Sequence, residues 1–431
     1  MISTPKTHAG LLTIYSVQES NLKIRFQIIL QTILAKPSLL LTLPLSIIAC
    51  LIILIIRPVI NIRLGLLRSD RLGHFTMNHE IFLADEKCKS PIKSNSNFDI
   101  YFFGHYPLCN AQLGLMWQRK LRVWKNPLLY PCSLILRSSK IFNKHVCGEP
   151  PYLDRDVNLS LTRTPPSISF FHDEEVLGTR ILNELGVPPG AQFVCLSVRD
   201  AEYTSQLGLG DFSYHDIRNA DINNYLMAAD ALTKRGLYVL RMGKIVSKSF
   251  DTPNPMIIDY ARSCHRSDFM DVFLAKNCLF AMGTPNGFLS LCHLFRRPVI
   301  ETDSVVLGWI YSYSDCSLSL AKTFLDNSSG KKMSLVQILK SPVAFANKKE
   351  TFDESGIHLI DNTSEEIRAV TIEMFNRINK IDQYSMSDHL LQNQFRNLFL
   401  SSLSCQNISL HQNFKGTYSI DALRNDPYFL M

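Results

Sequence analysis

The sequence has no Cys-x-x-Cys pair, although it holds eleven cysteines in 431 residues. Scattered cysteines of odd number fit neither a zinc or iron–sulfur framework nor a secreted disulfide scaffold. Cys195, Cys278 and Cys292 sit in apolar runs and read as reduced core residues. There is no Gly-x-x-x-x-Gly-Lys-Ser/Thr loop, which disfavours a P-loop NTPase. No Gly-x-Gly-x-x-Gly follows a strand-like run, and no Gly-x-Ser-x-Gly elbow occurs. Those absences argue against a dinucleotide-dependent dehydrogenase and a serine hydrolase. No dense Lys/Arg run or basic–aromatic stripe is present, so nucleic acid is not an expected partner.

What is present is a globular composition, 46% hydrophobic and 19% charged, with a net charge of +7. That length supports two domains. The modest positive charge suits anionic lipid or phosphate-bearing ligands. Residues 1–25 are polar. Residues 26–60 form an apolar segment in which Pro37 to Ile56 carries no charge. Twenty residues at a helical rise span about 30 Å, enough to cross a hydrocarbon core. Pro44 and the preceding apolar run leave in-plane insertion open as well. Lys23, Arg25 and Lys36 precede the uncharged run, and Arg57, Arg63, Arg68 and Arg71 follow it. That excess places the body of the protein on the cytoplasmic side.

After this segment the pattern is α/β. We read residues 61–165 as a first domain, 166–380 as a second, and 381–431 as a partly helical tail. The first domain opens with a strand at Ile60 to Leu67, a basic glycine turn and a helix from Phe75. That unit brings Asp70, Arg71, Gly73 and His74 to one strand end. His74 reads either as a general base or as a capping, structural histidine. A second strand spans Phe98 to Gly104, Leu128 to Leu136 fits a strand or a short helix, and a Pro-rich connector covers residues 143–170.

The second domain alternates strands and helices. Strands at Gln192 to Val198 and Leu237 to Leu240 precede a run from Arg266 to Asp303 that reads helix, strand, glycine turn, helix, strand. A loop of about twenty residues, 201–220, follows the first of these strands, and a loop of that length is usually functional. Polar residues gather at successive strand ends: Arg199, then Arg241 with Gly243, then Ser267 and Asp268, then Gly283, Thr284 and Asn286. Open parallel sheets bind ligands at that edge, where arginines grip diphosphates through paired hydrogen bonds and helix N-termini add amides.

Several stretches together resemble a bacterial family of glycosyltransferase-like proteins from surface-polysaccharide loci, with a leading membrane segment and a GT-B-like body. They are Arg71-Leu72-Gly73-His74, RNADINNY at 218–225, RMG at 241–243, RSDFMDVFLAKNCLFAMGTPNGFLSL at 266–291 and IDNTSEEIRAVTIEM at 360–374. The second domain is also similar to the nucleotide-sugar half of fucosyltransferase-type enzymes. The resemblance implies two Rossmann-like domains facing a cleft and a sugar transfer from a nucleotide-sugar donor to a lipid-linked or polysaccharide acceptor. It implies an acceptor side with Arg71 and Gly73, and His74 or Asp70 as base. On the donor side stand Arg199, Arg241, Gly243, Ser267, Asp268, Gly283, Thr284 and Asn286. No cofactor and no obligatory metal are expected, and the site of action would be the bacterial inner membrane with the catalytic part cytoplasmic. Where the related enzymes have a Gly-Ser/Thr-rich turn, this chain has Thr284-Pro285-Asn286-Gly287, and proline removes an N–H donor. A different reading is a membrane-anchored, non-catalytic partner of a polysaccharide assembly complex.

Overall fold

The computed structural model describes residues 39–89, 97–138, 140–149, 154–200, 202, 213–314, 316–381, 384–403, 409–411 and 413–431. The polar segment 1–25, the first part of the apolar segment, and most of the loop after Asp200 with Tyr203 lie outside them. The chain divides into two compact units, Met1–Leu153 and Asp154–Met431. Residues 154–165, assigned by sequence to the first domain, thus group with the second unit, and the described part of the apolar segment groups with the first.

In the first unit, helix α1 (Leu39–Ile55) leads to strand β1 (Asn61–Leu67), α2 (Leu72–Lys89), β2 (Asn97–Phe103), α3 (Ala111–Lys120), α4 (Leu129–Arg137) and a two-residue β3 (Val146–Cys147). The strands are parallel in the order β2-β1-β3, with Leu64 opposite Ile100 and Gly65 opposite Tyr101. Successive strand residues face opposite sides. Leu64, Leu66, Ile100 and Phe102 pack with Cys50 of α1 and Cys132 of α4. On the other side Phe103 meets Phe75 of α2 edge-on, and the Trp117 indole donates to the Phe75 carbonyl. Gly65 is needed there, since a Cβ would lie 2.4 Å from the Tyr101 ring. The segment at Leu128 to Leu136 is a helix.

No helix among the described residues is long and apolar enough to cross a membrane. Helix α1 has 17 residues, about 25 Å of rise, and one face of it is part of this unit's own core.

The second unit begins with α5 (His172–Glu184), followed by β4 (Phe193–Ser197), α6 (Leu226–Thr233), β5 (Tyr238–Arg241), β6 (Ile257–Ile258), α7 (Asp268–Asn277), β7 (Ala281–Gly283), α8 (Gly287–Leu294), β8 (Val299–Ser304) and β9 (Ser317–Ala321). Strands β10 (Thr323–Asp326), β11 (Lys331–Lys332) and β12 (Ile357–Ile360) form a small antiparallel sheet in the order β11-β10-β12. Then come α9 (Ser364–Asn379), α10 (Met386–Ser402) and β13 (Thr417–Tyr418). The main sheet is parallel and seven-stranded, in the order β13-β9-β8-β7-β4-β5-β6.

Local signals set the helix starts. Ser267 accepts from the Met270 amide at the head of α7, and Thr363 with Glu366 makes a capping box on α9. The C-terminal residues are not a loose tail. Phe395 and Phe399 of α10 are fully buried, and β13 pairs with β9, so these residues close one edge of the main sheet. Their polar composition hides this because only one face of α10 is apolar.

Candidate functional site

From β4 the second unit's sheet grows in both directions: β5 and β6 on one side, β7, β8 and β9 on the other. The strand order therefore reverses between β4 and β7. At such a point the loops leaving the two strand ends diverge and open a crevice, which is where parallel sheets bind ligands.

The backbones there are pressed together. Ser197 ends β4 opposite Gly283, which ends β7. Gly283 has φ +143°, and a Cβ on it would lie 1.9 Å from the Ser197 carbonyl oxygen. No other residue fits this position without movement of β4. Beyond the glycine, the Thr284 hydroxyl accepts from the Arg199 amide at 2.7 Å. The Asn286 amide group reaches Ser197 O, Ser197 Oγ and Thr284 O at 2.9–3.0 Å. Its Oδ1 accepts from the Phe288 and Leu289 amides and so caps α8. The Arg218 Nη2 donates to the Pro285 carbonyl at 3.0 Å.

This changes what the turn offers an anion. Pro285 has no N–H, and Asn286 already occupies the amides of Phe288 and Leu289. Side chains, rather than the start of α8, are the donors at this edge. Arg199 and Arg218 are half-buried beside it, with Arg199 Nε donating to Asn219 Oδ1 at 3.1 Å.

The remaining sequence-selected residues fall in a neighbouring network around β5 and β6. Arg241 is fully buried. It donates to Asp259 at 2.9 Å and to the Lys248 carbonyl at 3.0 Å, which clamps the 243–250 loop to the sheet. Gly243 lets that loop turn, since a Cβ would lie 2.4 Å from Val246. Ser267 caps α7, and Asp268 accepts from Arg266 and Lys244. Asp200 ties the two regions together by accepting from Ser247 N and Oγ. The structure thus brings Arg199, Gly283, Thr284 and Asn286 into direct contact, while Arg241, Gly243, Ser267 and Asp268 hold the adjoining loops.

Sequence reading missed three features. The first is Glu301 on β8, in register with Gly283 and buried on all sides. Loss of solvation raises its carboxyl to about 7, against the pull of Arg155 and Arg218. It is a group that changes charge near neutrality, as acid–base catalysts do. The signal was the run Glu301-Thr302-Asp303-Ser304 at the end of an apolar strand. The second is Arg155, stacked on the rings of Trp309 and Tyr311 at 5.1 and 4.6 Å. It lies within an Asp-x-Asp triplet, Asp154-Arg155-Asp156, although sequence reading finds no Asp-x-Asp motif that would bind a metal–diphosphate. Asp156 accepts from the Ser160 and Leu161 amides, a capping role, and among the described residues no group of three or more His, Cys, Asp or Glu side chains could hold a metal ion. The third is a network at the ends of β8 and β9. The Tyr225 hydroxyl meets Thr302 and Asp303, Asp303 and Asn362 exchange backbone-to-side-chain bonds at 2.7 Å, and Lys322 donates to the Asn219 carbonyl.

In the first unit, Asp70, Arg71, Gly73 and His74 lie together where β1 turns into α2. Asp70 sits between Arg68 and Arg71 at 3.8 and 3.7 Å. His74 is half-buried, with Nδ1 3.4 Å from Asn78 Oδ1. One turn on, His79 is fully buried and donates from Nδ1 to the Gly148 carbonyl at 2.9 Å. Burial lowers its pKa to about 3, so it is neutral. Of the two histidines, His74 is the one with access to solvent.

No protein-family model matches the chain, and no curated protein matches it. Solved structures distantly similar to the chain include two glycosyltransferases. One is the glycosyl transferase family 9 protein from Veillonella parvula, 8% identical, with 56% of this chain and 80% of that one covered and a TM-score of 0.34. The other is the iron-containing dodecameric glycosyltransferase TibC from enterotoxigenic E. coli, 12% identical, with 74% and 76% covered and a TM-score of 0.36. The functional reading rests on the site and not on these likenesses.

Proposed function

We propose that this chain is a glycosyltransferase of cell-surface glycan synthesis, taking a nucleotide-sugar donor in its second unit and a lipid-linked or polysaccharide acceptor. The observation that carries this is the crevice position between β4 and β7, with Arg199 and Arg218 beside it. Two guanidinium groups at such a point suit a diphosphate. In the reaction an acceptor hydroxyl oxygen attacks the anomeric carbon and the bond from that carbon to the donor phosphate breaks. The hydroxyl proton goes to a base, with His74 or Asp70 as candidates, and the electron pair leaves with the nucleoside diphosphate. Arg199 and Arg218 offset the charge that builds there, so no obligatory metal is needed. We place the reaction on the cytoplasmic face of the bacterial inner membrane, in keeping with the cations that follow the apolar segment.

A thermal-shift screen of the full chain against nucleotide sugars tests this. A donor at about 100 times its Kd stabilises by roughly 2.7 kcal/mol, so a true donor gives a clear upward shift in Tm. Arg218→Ala should abolish the shift, and a far-UV circular dichroism spectrum matching the wild type shows that the variant still folds. A panel in which no nucleotide sugar moves Tm refutes the proposal.

One observation favours a non-catalytic partner instead: the Asn286 cap and the Arg241–Asp259 pair make much of the predicted diphosphate seat a self-satisfied structural unit. In that case polysaccharide synthesis survives His74→Ala and Arg218→Ala but not deletion of the protein. Arg241 is a poor probe of chemistry, because its substitution unpairs the half-buried Asp259 and releases the Lys248 carbonyl.

A further inference from the structure

Helix α1 has two faces of different fate. Ser46, Cys50 and Ile53 are buried. The Cys50 thiol donates to the Cys132 carbonyl at 3.7 Å, and the Cys132 thiol to the Ser46 carbonyl at 3.4 Å, so this face is fixed to α4. On the far side Leu41, Leu45, Ile48, Ile52 and Ile55 are exposed, Leu41 at 83% and Ile55 at 75%. Ile47 and Leu51 are exposed as well and widen the stripe. At about 100° per residue the exposed aliphatic arc covers about 160° and is centred nearly opposite the buried face.

We infer that α1 is an in-plane membrane helix, docked on the first unit through α4 and burying its aliphatic arc at the acyl boundary of an anionic bilayer. Three features select a lipid surface over a protein partner. The arc is wholly aliphatic, whereas protein interfaces are enriched in aromatics, Met and Arg. It is about twice the width of an a/d seam and has no charged flanking positions, since Leu39–Ile55 contains no ionisable residue other than Cys50. Two exposed cations lie at its C-terminal end: Arg57, and Lys144, whose carbonyl accepts from Asn61. Basic residues beside an apolar stripe match an anionic headgroup layer. Crossing would also strip Ser46 and Cys50 from α4. This surface is independent of the donor chemistry proposed above.

The test uses the full chain and phosphatidylcholine vesicles with or without phosphatidylglycerol. Co-sedimentation should be strong with the anionic lipid, and Ile48→Glu with Ile52→Glu should lower the partition coefficient at least tenfold. Both positions are exposed, so the variant folds, which an unchanged Tm confirms. On vesicle-bound protein a water-soluble maleimide, with peptides mapped by mass spectrometry, should leave Cys132 unlabelled, because α1 covers it. Three results overturn the inference. One is vesicle binding that the double variant leaves unchanged. Another is labelling of Cys132 on membranes, which means α1 has left α4. The third is a lipid-free dimer that the double variant converts to a monomer, which means the arc meets a second copy.

Discussion

Glu301 gives the sharpest test of the site's electrostatics. Its carboxyl is buried on β8 beside the end of β7, and desolvation lifts it from 4.5 to about 7. A group whose folded pKa lies above its unfolded value binds more protons in the native state. Stability from this residue is therefore complete below about pH 4.5 and is lost as pH rises towards 7. A shift of this size is worth about 3 kcal/mol at 1.36 kcal/mol per unit. Glu301→Gln keeps the shape of the protonated acid and has no charge to lose. Urea denaturation of both proteins at intervals from pH 4.5 to 8 isolates the effect. The wild type should lose about 3 kcal/mol relative to the variant across this range, with the difference flat on either side. Using the difference matters, because the buried His293 and His411 are held neutral, at about 3 and about 4, and act in the opposite direction at low pH. If the two proteins show parallel pH profiles, Glu301 ionises normally and the argument for a proton-exchanging group beside the crevice fails.

Other substitutions probe the same framework. Gly283→Ala sets a Cβ 1.9 Å from the Ser197 carbonyl oxygen and should cost about 3 kcal/mol or more in urea denaturation; a near-neutral effect would mean β4 and β7 are not pressed together. Asp259→Ala leaves the Arg241 guanidinium buried without its counter-ion and should cost about 3–5 kcal/mol, more than Arg241→Met does, because the unpaired charge is the costly species. Equal losses from the two would show that packing, and not charge, dominates. His79 is neutral when folded, at about 3 against an ordinary 6.5, so it contributes stability above pH 6.5 that is lost as pH falls towards 3. His79→Gln should flatten the acid limb of the stability curve measured by denaturant titration, and an unchanged limb would place the charge uptake elsewhere.

The β/α alternation of the second unit is legible from Gln192 to Asp303 because each strand there is a short apolar run bounded by a glycine or an acid. The apolar period changes from two to about three and a half where each helix starts. The roles of the polar residues are less legible. Arg199 and Arg241 look equivalent in the chain, each closing one of two adjacent strands, although Arg241 pairs with Leu196 inside β4 and Arg199 lies two residues past its end. Their fates differ because Asp259, eighteen residues after Arg241, returns to pair with it while Arg199 meets Asn219. Long-range partners of this kind leave no local trace. Helix α1 is ambiguous for a related reason. Its uncharged run fits a span and an in-plane segment alike, and one face of it, with Ala49 and Cys50, is directed at Cys132 and the sheet beneath. Sequence hydropathy does not distinguish lipid-facing from core-facing leucines.

The crevice also carries an argument about how an anion would be held. The three-residue span Asp216 to Arg218 and the following Asn219 form one cassette. Asn219 Nδ2 donates to Asp216, its Oδ1 accepts from Arg199, and its carbonyl accepts from Lys322. Arg218 leans the other way, onto the Pro285 carbonyl. One short segment therefore holds two arginines beside the end of β4, while Lys322 is ion-paired with Asp361. A phosphate at this point would meet charge-assisted donors, each worth about 1.5–3 kcal/mol, whereas the α8 dipole alone offers about 0.3–1 kcal/mol. To reach the α8 amides it would first have to displace the Asn286 cap, at a cost of about 1 kcal/mol. Recognition at this edge is therefore expected to depend on the guanidinium groups, with the helix start serving to fix the turn. The run RNADINNY, whose Asp221 caps the short helical turn that follows, becomes the segment whose substitution should weaken nucleotide binding most.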